Sequence, residues 1–300
     1  MNRKLWNRRE VIGTAAALGL LRVPGLAASE SMLRRPIPSS AETMPVVGLG
    51  TYSVFDVDST AEEIALRKDI VELLTRSGGS VIDTSPMYNR SEKIIGDVIA
   101  TGIDRENLFL ATKVWTDGKA QMRQSAELMN TDVIDLMQVH NLRDTDTHMD
   151  SIRDLQEQER VRYNGLTHYT AGALGALETA MKQHRPQFIQ INYSLGETDA
   201  DQRVLPLAQD LGIAVIINRP YQAGRLFRAV GDRPLPRWAA EFAESWGQFF
   251  LKYIISHPAV TCVIPATSKL KHMADNVRAG YGEMPDESTR RKMADFVRDL

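Results

Sequence analysis

Four side chains in the first half of the sequence could together move a proton. Asp83 and Tyr88 stand five residues apart in "DTSPMYNR", Lys113 lies in "ATKVW" and His140 in "QVHNL". An ammonium beside a phenol favours the phenolate and lowers its pKa, and a carboxylate keeps that ammonium charged and oriented. The phenol can then give a proton to a developing alkoxide, while the imidazole hydrogen-bonds the same oxygen. Taken singly, each residue has an ordinary structural reading: a turn cap, a packing aromatic, a solvated lysine and a histidine that satisfies a neighbour. The chemistry exists only if the fold brings the four to one place. No side chain can supply hydride, so redox chemistry at this quartet requires a cofactor.

The elements that must position them follow from the pattern of apolar runs. Short, β-branched runs at Val46–Tyr52, Ser80–Thr84, Leu108–Val114, Val133–Val139, Tyr163–His168, Phe188–Tyr193, Ala214–Asn218 and Val260–Pro265 are apolar on both faces, as buried parallel strands are. Amphipathic segments alternate with them: Ala61–Ser77, Ser91–Ala100, Lys119–Met129, His148–Val161, Ala171–His184, Asp199–Leu211, Arg237–Ser256 and Leu270–Ala279, with a last helix expected over Asp286–Leu300. Eight strand–helix pairs predict an α/β fold, a single-domain (β/α)8 TIM barrel over residues 45–300. A doubly wound sheet is the alternative, but no GxGxxG stands between the first strand and the first helix. Active residues of such barrels come from the C-terminal strand ends. Asp83, Lys113 and His140 fall there, and Tyr88 in the loop just beyond.

Composition excludes other classes. The 300 residues are 43% hydrophobic and 25% charged, which fits a globular chain. A net charge of −2 gives no basic face for nucleic acid. The single cysteine, Cys262, sits in the apolar "VTCVIPA", cannot form an intrachain disulfide and is expected in the core. No carboxylate cluster accompanies the histidines, so no metal site is expected.

Residues 1–27 differ from the rest. Arg3, Lys4, Arg8 and Arg9 precede an apolar run from Val11 to Leu21, and small residues follow at Gly25, Ala27 and Ala28. This is the layout of a signal peptide, too short to span a bilayer as a stable anchor. The Arg8-Arg9 pair resembles a twin-arginine signal, which implies the twin-arginine export machinery as partner and a periplasmic or exported location. A helix is expected from Glu10 to Leu21, and residues 28–44 read as an extended lead-in.

At the quartet the chain resembles the aldo-keto reductases, from about Val46 to Asn276. The resemblance implies that Asp83, Tyr88, Lys113 and His140 form a catalytic tetrad that reduces a small carbonyl substrate, an aldehyde or ketone, with NADPH, NADH being the alternative. It also implies cofactor contacts: Gly50, Thr51 and Tyr52 in "GLGTY"; Thr167 and His168 in "GLTHY"; Gln190 in "FIQINY"; Asn218 and Arg219 in "INRPYQAG"; Thr267, Lys269, Asp275 and Asn276 in "IPATSKLKHMADN". Three departures touch the cofactor, the first being Thr167 and His168, which stand where the family usually has serine and asparagine. Asn218 stands where the family places an aromatic, and Ala266 and His272 stand where it places the lysine and arginine that meet a 2′-phosphate. Tyr52 and Trp115 are the expected walls of the substrate pocket, and "QAGRLFRAVGDRPLPRW" is a candidate lid. The departures also motivate a second reading, a non-catalytic nicotinamide-binding auxiliary subunit or redox sensor. A phosphate- or metal-dependent barrel isomerase is the third.

Overall fold

Parallel strands whose residues alternate between a helix-covered face and a closed interior organise the chain. The computed structural model describes residues 31–298. The signal-peptide reading of residues 1–27, with its helix from Glu10 to Leu21, lies outside the described residues. The first described strands, β1 (Arg34–Pro36) and β2 (Thr43–Pro45), pair antiparallel. Then follow β3 (Leu49–Gly50), α1 (Ala61–Arg76), β4 (Val81–Asp83), α2 (Ser91–Ala100), β5 (Phe109–Val114), α3 (Lys119–Leu128), β6 (Ile134–His140), α4 (Thr145–Glu157), β7 (Val161–Thr167) and α5 (Leu174–His184). The second half adds β8 (Phe188–Asn192), α6 (Val204–Leu211), β9 (Ala214–Asn218), α7 (Arg225–Val230), α8 (Trp246–Ile255), β10 (Cys262–Val263), α9 (Leu270–Arg278) and α10 (Glu287–Arg298).

Strands β3 to β10 form one parallel sheet in sequence order. Parallel bridges Val47↔Val263 and Gly50↔Ala266 join its two edges, so the sheet closes into the expected (β/α)8 barrel. The first strand is shorter than its apolar run. It is squeezed between neighbours at two glycines: a Cβ at Gly48 would lie 2.7 Å from Val81 Cβ, and one at Gly50 2.8 Å from the Ile264 carbonyl oxygen.

The interior follows the two-residue period of a strand. Its lower half is apolar, built from Val81, Phe109, Ala111, Leu136, Tyr163, Phe188, Ala214, Ile216 and Cys262. Two residues further along several of these strands, the same parity delivers Asp83, Lys113, Gln138, Gln190 and Asn218 to the upper rim. A second and larger core lies between strands and helices. Cys262 is fully buried, and burial pushes its thiol pKa up.

Four expectations need correction. The lead-in is a hairpin from Arg34 to Pro45, and it drives Ile37 and Met44 into the lower barrel core, so it plugs the bottom of the barrel. The helix expected over Arg237–Ser256 is a 3-10 turn at Arg237–Glu241 followed by α8, because Ser245 turns the chain and caps the new helix by accepting the Gln248 N–H. Helix α4 begins at Thr145 and ends before Glu159, whose φ of 56° breaks it; Val161 belongs to β7. The candidate lid carries a helix of its own, α7, opened by Gly224 at φ 81°.

Candidate active site

Asp83 is the hub. It ends β4 almost fully buried, and side chains from three other strands converge on its carboxylate. Lys113 from β5 donates to Oδ1 at 2.6 Å; Gln190 from β8 and Gln138 from β6 donate to Oδ2 at 2.7 and 3.1 Å. Lys113 is 1% exposed and gives a further hydrogen bond to the Thr84 carbonyl at 2.6 Å. A buried ammonium is tolerated only with such partners. Burial alone would lower the Lys113 pKa, but the charge of Asp83 and the Tyr88 phenol overcome it, and the net direction is upward. Lys113 is therefore charged at every physiological pH.

Tyr88 stands over this pair, its ring centroid 5.0 Å from the Lys113 ammonium. Its pKa is raised. Burial is the largest cause, Lys113 pulls it down, and Asp83 pushes it up again. This corrects the expectation of a lowered phenol pKa: the lysine acts in the expected direction but does not outweigh burial. The phenol is fully protonated at neutral pH and is held as an acid.

His140 ends β6 with its ring edge-on to Trp115, 5.3 Å between centroids, and to Tyr88, 6.2 Å. Ser85 Oγ lies 3.2 Å from its Nδ1. Burial, then the charge of Lys113, lowers the His140 pKa to about 3, so the imidazole is neutral. All four residues line one cavity of about 1070 Å³ at the C-terminal end of the barrel. That is at or above the upper end of the range for drug-sized ligands, and far more than a simple aldehyde needs.

The other candidate residues divide. Gly50, Thr51, Tyr52, Trp115, Thr167, Gln190, Asn218, Arg219, Thr267, Asp275 and Asn276 line the cavity. His168 and Lys269 are not among its lining residues. His168 turns back on its own loop, where Nδ1 accepts the Tyr169 and Thr170 N–H groups and the ring stacks on Tyr169. Lys269 is an exposed residue preceding α9. Gln190 commits its amide hydrogens to Asp83 and Gln138. Asn218 donates to the His168 carbonyl at 3.2 Å and to Gln190 Oε1 at 3.3 Å, which leaves its buried Oδ1 without a partner. Asp275 accepts from Ser245 Oγ and Gln248 Nε2, and Asn276 accepts from Tyr221 OH at 2.7 Å. Sequence reasoning missed Gln138, Ser85, Tyr169, Tyr221 and Trp246, while Phe227 lines the cavity from within the candidate lid segment. Gln138 was within reach, since it sits two residues before His140 and must share its face of β6.

The model of the aldo/keto reductase family matches residues 46–292. An uncharacterized oxidoreductase of Bacillus subtilis is 24% identical, over 83% of this chain and 91% of its own. An aldo-keto reductase of Bombyx mori is 25% identical, over 80% of this chain and 84% of its own. Among solved structures, an aldo/keto reductase of Klebsiella pneumoniae in complex with NADP and acetate superposes with a TM-score of 0.71 at 23% identity, covering 86% of this chain and 93% of that one. The Bombyx mori enzyme in complex with NADP superposes with a TM-score of 0.68 at 22% identity, covering 89% and 93%.

Proposed function

The chain belongs to the aldo/keto reductase family, and on that premise we propose that it is an NADP-dependent carbonyl reductase. The observation that carries the reading is the convergence of Tyr88, Lys113, Asp83 and His140 on one deep cavity. NADPH, when bound, supplies the hydride. The NADP complexes of the superposed enzymes favour this cofactor. The residues fit such a group: the cavity exceeds a small substrate, and the buried, unpartnered Oδ1 of Asn218 offers an acceptor to an amide. Gly50, Thr51, Thr167, Gln190, Asn218 and Arg219 would hold the nicotinamide half; Thr267, Asp275, Asn276 and His272 would hold the adenosine half, His272 meeting the 2′-phosphate where Lys269 faces solvent.

In this reading Tyr88 gives its proton to the carbonyl oxygen as the carbon accepts hydride, so the product is the alcohol and Tyr88 is left as phenolate. Lys113 stabilises that phenolate. Asp83 keeps Lys113 charged and aimed. Neutral His140 donates a hydrogen bond to the same oxygen and sets the substrate's direction. Trp115 and Tyr52 wall the substrate end. We further propose that residues 1–27 are a twin-arginine signal and that the barrel works outside the cytoplasm, which the Arg8-Arg9 pair and the apolar run behind it support.

The purified protein should oxidise NADPH in the presence of simple aldehydes, read at the nicotinamide absorbance. Tyr88→Phe should lower kcat by at least about a hundredfold, the lower range of general acid catalysis, while the cofactor still binds. Cofactor binding with no turnover across a broad carbonyl panel would favour the sensor reading.

A further inference from the structure

We propose that Ser85 is a positioning residue that holds His140 in the tautomer with its proton on Nε2. The proposal rests on the reading of His140 as a hydrogen-bond donor to the substrate oxygen. Ser85 follows Asp83 by two residues and is fully buried. Its Oγ accepts the Met87 N–H at 3.1 Å and lies 3.2 Å from His140 Nδ1.

These two contacts decide where the protons go. A serine hydroxyl has one hydrogen to donate and two lone pairs. The Met87 N–H already occupies a lone pair. Among the described residues, the acceptor in reach of the hydroxyl hydrogen is His140 Nδ1. If Nδ1 carried the proton, Ser85 would accept twice and its own buried O–H would lack an acceptor, and an unsatisfied buried donor is costly. With Nδ1 as acceptor every group is satisfied, and the single imidazole proton is on Nε2. The ring is neutral at physiological pH, so its proton placement matters. It is also held between Trp115 and Tyr88. Nε2 then remains to donate into the cavity that the ring lines. With the opposite tautomer the carbonyl oxygen would meet a lone pair where it needs a hydrogen.

The test is nitrogen NMR of the full-length protein with 15N-labelled histidine, read alongside kinetics with NADPH and a simple aromatic aldehyde. In the wild type the His140 Nδ1 resonance should be that of an unprotonated nitrogen and Nε2 that of a protonated one. Ser85→Ala should mix the tautomers and lower kcat about tenfold, the scale of one aligned hydrogen bond, with KM for NADPH unchanged. Ser85→Thr keeps the hydroxyl and should restore the tautomer and most of kcat. A proton on Nδ1 in the wild type overturns the proposal whether or not the variants fold. So does a Ser85→Ala protein with the wild-type tautomer and rate. His140→Ala separates this from the underlying reading: if that variant reduces aldehydes at the wild-type rate, the donor role of His140 fails, and the catalytic consequence of Ser85 with it, even where the tautomer is as described.

Discussion

Lys113 and Asp83 neutralise each other inside the barrel, and removing either leaves a buried charge. Lys113→Met should cost about 3–5 kcal/mol in urea unfolding, the usual penalty for breaking a buried pair from one side. Adding Asp83→Asn should return part of that stability without returning activity. The pH dependence follows from the raised Tyr88 pKa. Carbonyl reduction needs the protonated phenol, so its rate should be flat from pH 6 to 9. Alcohol oxidation needs the phenolate, so its kcat/KM should climb through pH 9 without a plateau. Lys113→Met should move that climb to still higher pH, because the lysine is what draws the phenol pKa down against burial and Asp83. Two buried histidines withdraw stability from the fold in acid. Burial lowers His140 to about 3, and burial together with Arg290 lowers His257 to about 4. The unfolded chain binds these protons near pH 6.5 and the native protein does not. Stability is therefore complete above about pH 6.5, and each histidine withdraws about 1.4 kcal/mol per pH unit as pH falls from there toward its folded pKa. Thermal melts from pH 7 to 4 should show this, and His257→Asn should flatten the slope. The four candidate residues were legible in the sequence because Asp83, Lys113 and His140 lie at the ends of apolar runs and Tyr88 lies in the loop just after one. The direction of the Tyr88 shift was not, since it depends on how deeply the loop after β4 is packed.

Strands survive translation from sequence to structure better than helices in this chain. Every apolar run became a barrel strand, because burial on both faces leaves an apolar stretch of five to seven residues little choice. Helix ends were less legible. Ser245 could be read as a cap only once Trp246–Ile255 was known to pack on its own, and the break at Glu159 rests on a left-handed backbone that no apolar period reports. The closure between β3 and β10 depends on glycine. At Gly50 the obstacle to a side chain is the Ile264 carbonyl, a backbone atom that cannot rotate away. Gly50→Ala should destabilise the barrel by about 1–3 kcal/mol, in line with overpacked cores, and should weaken cofactor binding, since Gly50 also lines the cavity. Equal stability and affinity in that variant would show that the seam yields more easily than its geometry implies.

At the scale of the whole molecule, the described residues from Ser31 onward form one compact unit, and where that unit begins decides what each truncation should do. The alternation of runs made the barrel legible, but its bottom plug was not: Ile37 and Met44 are isolated apolar residues in a polar stretch, and only the hairpin brings them under Phe109, Tyr163 and Phe188. Removing residues 1–27 should therefore leave the melting temperature and NADPH affinity unchanged. Removing residues 1–45 should open the lower core and lower stability by several kcal/mol, since burying each such side chain contributes about 1.5–3 kcal/mol. The hairpin is also tied on by Glu42, which accepts from Arg162 and from the Tyr163 hydroxyl. The contrast separates the export task proposed for residues 1–27 from the closure of the lower barrel that the hairpin performs. Replacing Arg8 and Arg9 with lysine tests the export task without touching the barrel. Lysine keeps the charge but loses the planar guanidinium fork, so a receptor that reads the arginine pair should fail to pass the protein on. Fractionation should then find active enzyme in the cytoplasm. Normal export of the double-lysine variant would remove the twin-arginine assignment, and loss of stability on deleting residues 1–27 would remove the signal-peptide reading altogether.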